Sequence, residues 1–311
     1  MMAIVSVALA VLLQSCQAVR ICSAWKKSSG PCPDFKIGLL KGSFDAQFKR
    51  HPPDSIFLYS HFATSHFDLL PHFVKHYTAL GMERDRFLLV WNVKPEENST
   101  LPDLFEELGV VVVRWFGVFT SAAAHYNKIK LLANVPPLSW LVYADIDEFL
   151  ELPVTVQEQA AYLRTNNFTH QMAYTIDRVA PGGQLVRLMP DREIQAQFPL
   201  RCNLTGAHGA ASKVVLLRGD LRTVSGNHIV HDDQLYVRNK QTAPSHGVER
   251  RESPQVLQLS HYKWTHDVVA YLQNRVNFYK QVHQYWALSL SILSSLRQTN
   301  WTINVDKYCR E

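Results

Sequence analysis

The stretch Trp140–Pro153, WLVYADIDEFLELP, is apolar over its first five residues. It then carries Asp145, Asp147, Glu148 and Glu151. Such a run predicts a buried strand that stops at a cluster of carboxylates. Crowded carboxylates repel one another and are costly to bury without a counter-charge. Side chains two apart on an extended chain share a side, so Asp145 and Asp147 are expected to face the same way. At the carboxyl end of a strand, where open α/β sheets bind ligands, they would make a hard-oxygen site. Mg²⁺ or Mn²⁺ suits such oxygens and takes its remaining ligands from phosphates and water, so a metal–diphosphate is the expected positive charge.

The flanking sequence sets this strand in an alternating pattern. SIFLYSHF from Ser55 reads as a buried strand, and Ser65–Gly81 as a helix with Pro71 in its first turns and Gly81 as its stop. RFLLVWNV (86–93) and VVVVRWFGV (110–118) are further strands. LPDLFEELG (101–109) and SAAAHYNKIKLLANV (121–135) are the intervening helices. Apolar strands alternating with helices predict a parallel sheet covered on both faces, a Rossmann-like α/β half over 55–150. No GxGxxG follows the first strand, which argues against a nicotinamide-type dinucleotide site.

Beyond Leu150 the pattern changes to a mixed half over 151–285. VTVQEQAAYLRTN (154–166) reads as a helix. MAYTIDRV (172–179), SKVVLLRGD (212–220), NHIVHDD (227–233) and LQLSHYKW (257–264) read as strand-like pieces. A long amphipathic helix is expected from Asp267 to His283, its stripe Val268, Val269, Leu272, Val276 and Tyr279 facing the core. Residues 286–311 are set apart as a C-terminal extension and 19–54 as a stem or strap, because SSGPCP and HPPD break regular structure there.

The chain has 311 residues, 47% hydrophobic and 19% charged, with a formal charge of +5 and no basic run. That composition predicts a full core and argues against nucleic acid as a partner. Residues 1–18 carry an apolar core and small residues around Cys16–Ala18, the pattern of a secretory leader, with an uncleaved membrane anchor as the alternative. Four sequons, at Asn98, Asn167, Asn203 and Asn300, point to the secretory lumen (Golgi or ER) or to secretion. Without Cys16 an even set remains: Cys22, Cys32, Cys202 and Cys309. Of the three pairings possible, Cys22–Cys32 with Cys202–Cys309 is expected, with free thiols as the alternative.

DIDEFLELP (145–153) resembles the DxDEF stretch of glycosyltransferase family 92 and its family 2-like relatives. FDLLPHFVKHYTALGMERDRFLLVWN (67–92), SKVVLLRGDLRTVSGNHIVH (212–231) and LQLSHYKW resemble other blocks of that family. The resemblance implies a GT-A fold, a nucleotide-sugar donor with a UDP-sugar favoured, a glycan or glycoprotein acceptor, and a hexosyl or galactosyl group transferred with inversion. Carried onto this chain, Asp147 would ligate Mn²⁺ or Mg²⁺, and Asp145 would bind the ribose or a metal-bound water. His261 would complete the metal shell, with His228 as its alternative. The chain departs from its relatives at SHFATSHF (60–67) and WNVKPEENS (91–99), where an Asn-Glu pair and an Asp-rich turn are usual.

Transfer also needs charge relief on the leaving diphosphate, for which Lys213 or Arg218 are candidates, and a carboxylate base, for which Asp232 and Asp233 are first choices and Asp191 or Glu193 alternatives. Trp264, Tyr262 and Trp115 are candidate platforms for a sugar face. His228 and His231, three apart on a strand-like piece, would face opposite sides and do not read as a zinc pair. Two other functions fit less well. One is an aspartyl-phosphate phosphohydrolase, which wants its DxD on the first strand. The other is a non-catalytic secreted carbohydrate-binding protein on a decayed transferase fold.

Overall fold

The computed structural model describes residues 39–93, 103–117, 119, 121–207, 212–223, 225–230, 250–279 and 286–310. Its strands are β1 (Leu39–Lys41), β2 (Ile56–Ala63), β3 (Phe87–Val93), β4 (Val111–Phe116), β5 (Trp140–Tyr143), β6 (Glu148–Glu151), β7 (His170–Val179), β8 (Leu200–Cys202), β9 (Ser212–Arg218), β10 (Leu257–His261) and β11 (Cys309–Arg310). They form one sheet in the order β1-β4-β3-β2-β5-β9-β7-β10-β6, with β8 on β7 and β11 on β8.

The expected parallel half is present. β4-β3-β2-β5 run parallel, and β3 is buried along its whole length. The helix Leu70–Ala79 has Pro71 in its first turn, where no intrahelical N–H is lost. Gly81 and Gly109 follow helices at positive φ, 91° and 64°, which a Cβ would disfavour. Alternate strand residues feed two cores, as a sheet covered on both faces requires. Leu58, Leu89, Trp91 and Val142 meet Phe73 and Tyr77 of that helix on one face. Phe57, Leu88, Val90 and Leu141 meet Phe48, Ala123 and Leu131 on the other.

The stretch read as an N-terminal strap contributes to this half. β1 pairs antiparallel with β4, and the helix Asp45–Arg50 buries Phe48. At the other end, the helix Trp286–Gln298 packs on the helix Val268–Tyr279. Ile292, Leu293, Leu296 and Ile303 share a core with Trp264, Val268 and Leu272, so residues 286–310 are built into the molecule. NHIVHDD forms no strand in its described part. Residues 225–227 make a 3-10 turn, and Val230 adds a single bridge to Thr223. Among the described residues no helix is long and apolar enough to cross a membrane.

One feature of the topology creates the site. β5 and β6 are separated by only four residues, yet β9, β7 and β10 lie between them in the sheet. Neighbouring strands are spaced about 4.8 Å apart, so a flat sheet would put β5 and β6 about 19 Å apart. The link is instead a tight turn, in which Glu148 N–H donates to the Asp145 carbonyl at 2.9 Å. The sheet must therefore curl back on itself, and the acidic turn sits in the fold of the curl.

Candidate functional site

Within the turn Ile146 is buried, while Asp145 is exposed and Asp147 half-buried. The two aspartates thus face away from the side that anchors the turn. Glu148 belongs to β6 rather than to the end of β5, and its carboxylate accepts the Asp145 N–H at 3.0 Å. The Glu148 carbonyl and Leu150 N–H, on the edge of β6, are both satisfied by the Tyr77 hydroxyl at 3.1 Å.

The counter-charge expected from a metal is supplied in part by the protein. Lys213, at the start of β9, donates to Asp145 Oδ2 at 2.6 Å and also to Glu148 Oε1. Burial opposes the charge on Lys213, but the two carboxylates outweigh it and hold the ammonium well above its ordinary pKa. Burial would likewise lift Asp145, and Lys213 reverses the direction, so Asp145 lies below its usual value. Glu148, only 3% exposed, is pushed up by burial, with Lys213 offsetting it in part.

Asp147 has a different partner. His261 Nε2 lies 3.3 Å from Asp147 Oδ2, and His261 Nδ1 lies 3.0 Å from Oδ1 of Asp177. Burial disfavours the imidazolium, but Asp147 and Asp177 together push His261 up to about 10. Asp147 is held far below the carboxylate range, the His261 charge and hydrogen bond outweighing burial. Strand register explains the convergence. Glu148 pairs with His261, His261 with Asp177, Asp177 with Cys202, and Cys202 with Cys309, one row across five strands.

Asp177 is absent from the sequence-based candidates, although a lone acid inside MAYTIDRV was its visible sign. It is 0% exposed and receives Trp264 Nε1–H at 2.7 Å, Thr205 N–H at 2.6 Å and Thr205 Oγ1–H at 2.7 Å besides His261. Lys128 was also missed. It is buried beside Tyr143, 5.2 Å from the ring centre, and donates to Thr223 Oγ1 at 2.8 Å and Asn227 Oδ1 at 2.7 Å. Burial pulls Lys128 down to about 7 against the upward pull of Asp145.

Several expectations are corrected. Arg218 sits at the opposite end of β9, opposite Trp140 at the start of β5, about 17 Å of strand from Lys213. It forms a two-pronged ion pair with Asp220 at 2.8 Å. His228 is turned onto the Ser212 carbonyl at 2.7 Å, whereas His261 meets Asp147. Glu193 is exposed on Lys75, and Asp191 is exposed. Trp264, Tyr262 and Trp115 are at most 1% exposed, so none offers a face to a sugar. Cys202 and Cys309 are bonded as expected. Asn167, Asn203 and Asn300 are exposed. Asp232, Asp233, Asn98, Cys22, Cys32 and the leader lie outside the described residues.

Among the described residues no group of three or more His, Cys, Asp or Glu side chains is placed to hold a metal ion. Asp147 and His261 alone are a fitting pair for a cation that takes its other ligands from elsewhere. Two donors on adjacent corners of an octahedral cation lie about 3 Å apart, close to their separation. The carboxyl ends of β2 and β5, where strand order reverses, carry buried polar atoms without hydrogen-bond partners, His61 Nε2 and Tyr143 OH, and Asn127 Nδ2 and Oδ1 on the helix Ser121–Leu131 likewise have none. Two cavities, of about 90 Å³ around Trp264 and Ile292 and about 520 Å³ around His76 and Leu150, are not lined by Asp145, Asp147 or His261.

No family model matches the chain, and no curated protein matches it. Among solved structures, a crystal structure of S. aureus TarS is similar over 44% of this chain and 25% of that one, at 12% identity and a TM-score of 0.29. A structure of S. aureus TarS 1-349 is similar over 81% of this chain and 73% of that one, at 10% identity and a TM-score of 0.33. Likeness at these scores carries no argument about function, and the family 92 resemblance rests on the quoted residues alone.

Proposed function

We propose that the protein is a divalent-cation-dependent glycosyltransferase that moves a hexosyl group from a nucleotide-diphosphate donor, a UDP-sugar by preference, to a glycan or glycoprotein acceptor. The observation that carries this reading is the Asp147–His261 pair at the carboxyl edge of the parallel strands. It adjoins the point where strand order reverses between β2 and β5, the usual place for a nucleotide in such sheets. Orphaned polar atoms there on Tyr143 and His61 support a polar occupant, because buried groups of this kind ordinarily have partners.

In this reading Asp147 and His261 would hold Mn²⁺ or Mg²⁺. What the cation supplies when bound is charge neutralisation on the departing diphosphate. Lys213 fixes the turn by holding Asp145 and Glu148, which keeps Asp147 on the sheet edge. Asp145 reaches the donor ribose only from within its pair with Lys213. Asp232 and Asp233 remain the proposed carboxylates for the acceptor proton in an inverting transfer. The exposed sequons and the Cys202–Cys309 disulfide support residence in the secretory lumen.

The test is donor hydrolysis by the full chain across a panel of nucleotide sugars, with Mn²⁺, Mg²⁺ or EDTA. EDTA should stop turnover and Asp147→Asn should abolish it. Cleavage of simple phosphomonoesters instead would favour a phosphohydrolase. Glycan binding without any turnover would favour a non-catalytic lectin-like protein.

A further inference from the structure

We infer that Asp177 is a positioning residue that fixes the tautomer of His261, so that Nε2 presents its lone pair toward a cation at Asp147. The inference rests on the cation site proposed above. Asp177 is fully buried in β7, and His261 is its register partner in the adjacent parallel strand β10. Its carboxylate is surrounded by donors only: Thr205 N–H on Oδ2, and Thr205 Oγ1–H, Trp264 Nε1–H and His261 Nδ1 on Oδ1. Neither the indole nor the backbone N–H can accept in return, so this carboxylate cannot rotate to offer His261 anything but an acceptor.

An acceptor at Nδ1 keeps the Nδ1 hydrogen on the ring, so a cation arriving at Asp147 displaces to solvent only the proton on Nε2, which faces the Asp147 carboxylate until then, and Nε2 becomes the ligating atom. The reverse tautomer would carry a hydrogen on the side facing Asp147 and could not bind a metal. Asp177 is fully buried and cannot meet a ligand itself. Its action passes through the imidazole.

Mn²⁺ is titrated into the full chain, alone and with UDP, and bound cation is counted by electron paramagnetic resonance. Asp177→Asn should weaken Mn²⁺ binding about 10–100-fold. Trp264→Phe, which removes a donor from Asp177 but leaves His261 in contact, should lower thermal stability without that loss of affinity. The ¹⁵N shifts of His261 in the unmutated, Mg²⁺-loaded protein should show Nδ1 protonated and Nε2 bare, a readout independent of whether either variant folds. Protonated Nε2, or Asp177→Asn binding Mn²⁺ as tightly as the unmutated chain, overturns the inference and leaves the proposed function standing. No Mn²⁺ binding by the unmutated chain under either condition overturns both.

Discussion

His261 stands between two carboxylates, Nδ1 on Asp177 at 3.0 Å and Nε2 on Asp147 at 3.3 Å, with one acid fully buried and the other half-open. The buried acid can only orient the ring, whereas the open one can share a ligand with it. This asymmetry separates the Asp147 side of the turn from the Asp145 side, where Lys213 closes both available acids.

Lys213 is the counter-ion of a nearly buried glutamate. Lys213→Met should therefore destabilise the protein by about 3–5 kcal/mol, since Glu148 keeps its burial and loses its partner. Chemical denaturation would measure this. Adding Glu148→Gln should recover much of the loss, and a double variant no more stable than the single one would contradict the pairing.

Arg218 provides the contrasting case. Arg218→Gln breaks a partly exposed pair with Asp220 at the far end of β9. Stability should change by about 1 kcal/mol or less, and the Michaelis constant for the donor should not move. A large rise in that constant would return Arg218 to the donor site.

Stability should also fall in mild acid. Burial, partly opposed by Asp145, pulls His61 down to about 4 from an unfolded value of 6.5. Above pH 6.5 the ring is neutral in both states and nothing is lost. Between 6.5 and 4 the unfolded chain takes up the proton first, so folding weakens by an amount on the order of 1–3 kcal/mol. Melting temperatures across that interval, compared with His61→Phe, should show a shallower slope in the variant.

The disulfide lies in the same register row as the site, with Cys202 opposite Asp177 and Cys309 opposite Cys202. It closes a sequence separation of 107 residues. Replacing both cysteines with serine should cost about 2–4 kcal/mol. It should also loosen Thr205, three residues along, and so weaken Mn²⁺ binding. Unchanged Mn²⁺ affinity in the double variant would confine the disulfide to stability.

The parallel half was legible from local pattern because its central strands β2, β3 and β5 are buried on both faces and two of its helices end on glycine. β3 is apolar from Phe87 to Trp91 and buried throughout, and Gly81 and Gly109 mark helix ends that no other residue accommodates as easily. Asp145 and Asp147 announced themselves by following an apolar strand directly. NHIVHDD misled because its apolar residues are too few to distinguish a strand from a turn held by one bridge. The aromatic platform misled because large rings are as useful to a core as to a sugar.

Local pattern was sufficient for the elements and for the acidic turn, since both follow from how neighbouring residues share burial. It could not say which cation meets which acid. Lys213 and His261 reach the turn from β9 and β10, with Asp177 of β7 behind the imidazole, and they do so only because a four-residue link forces the sheet to curl. Charge pairing across 65 residues (Lys213–Glu148) to more than 100 (His261–Asp147) depends on that curvature, and no periodicity in the chain encodes it.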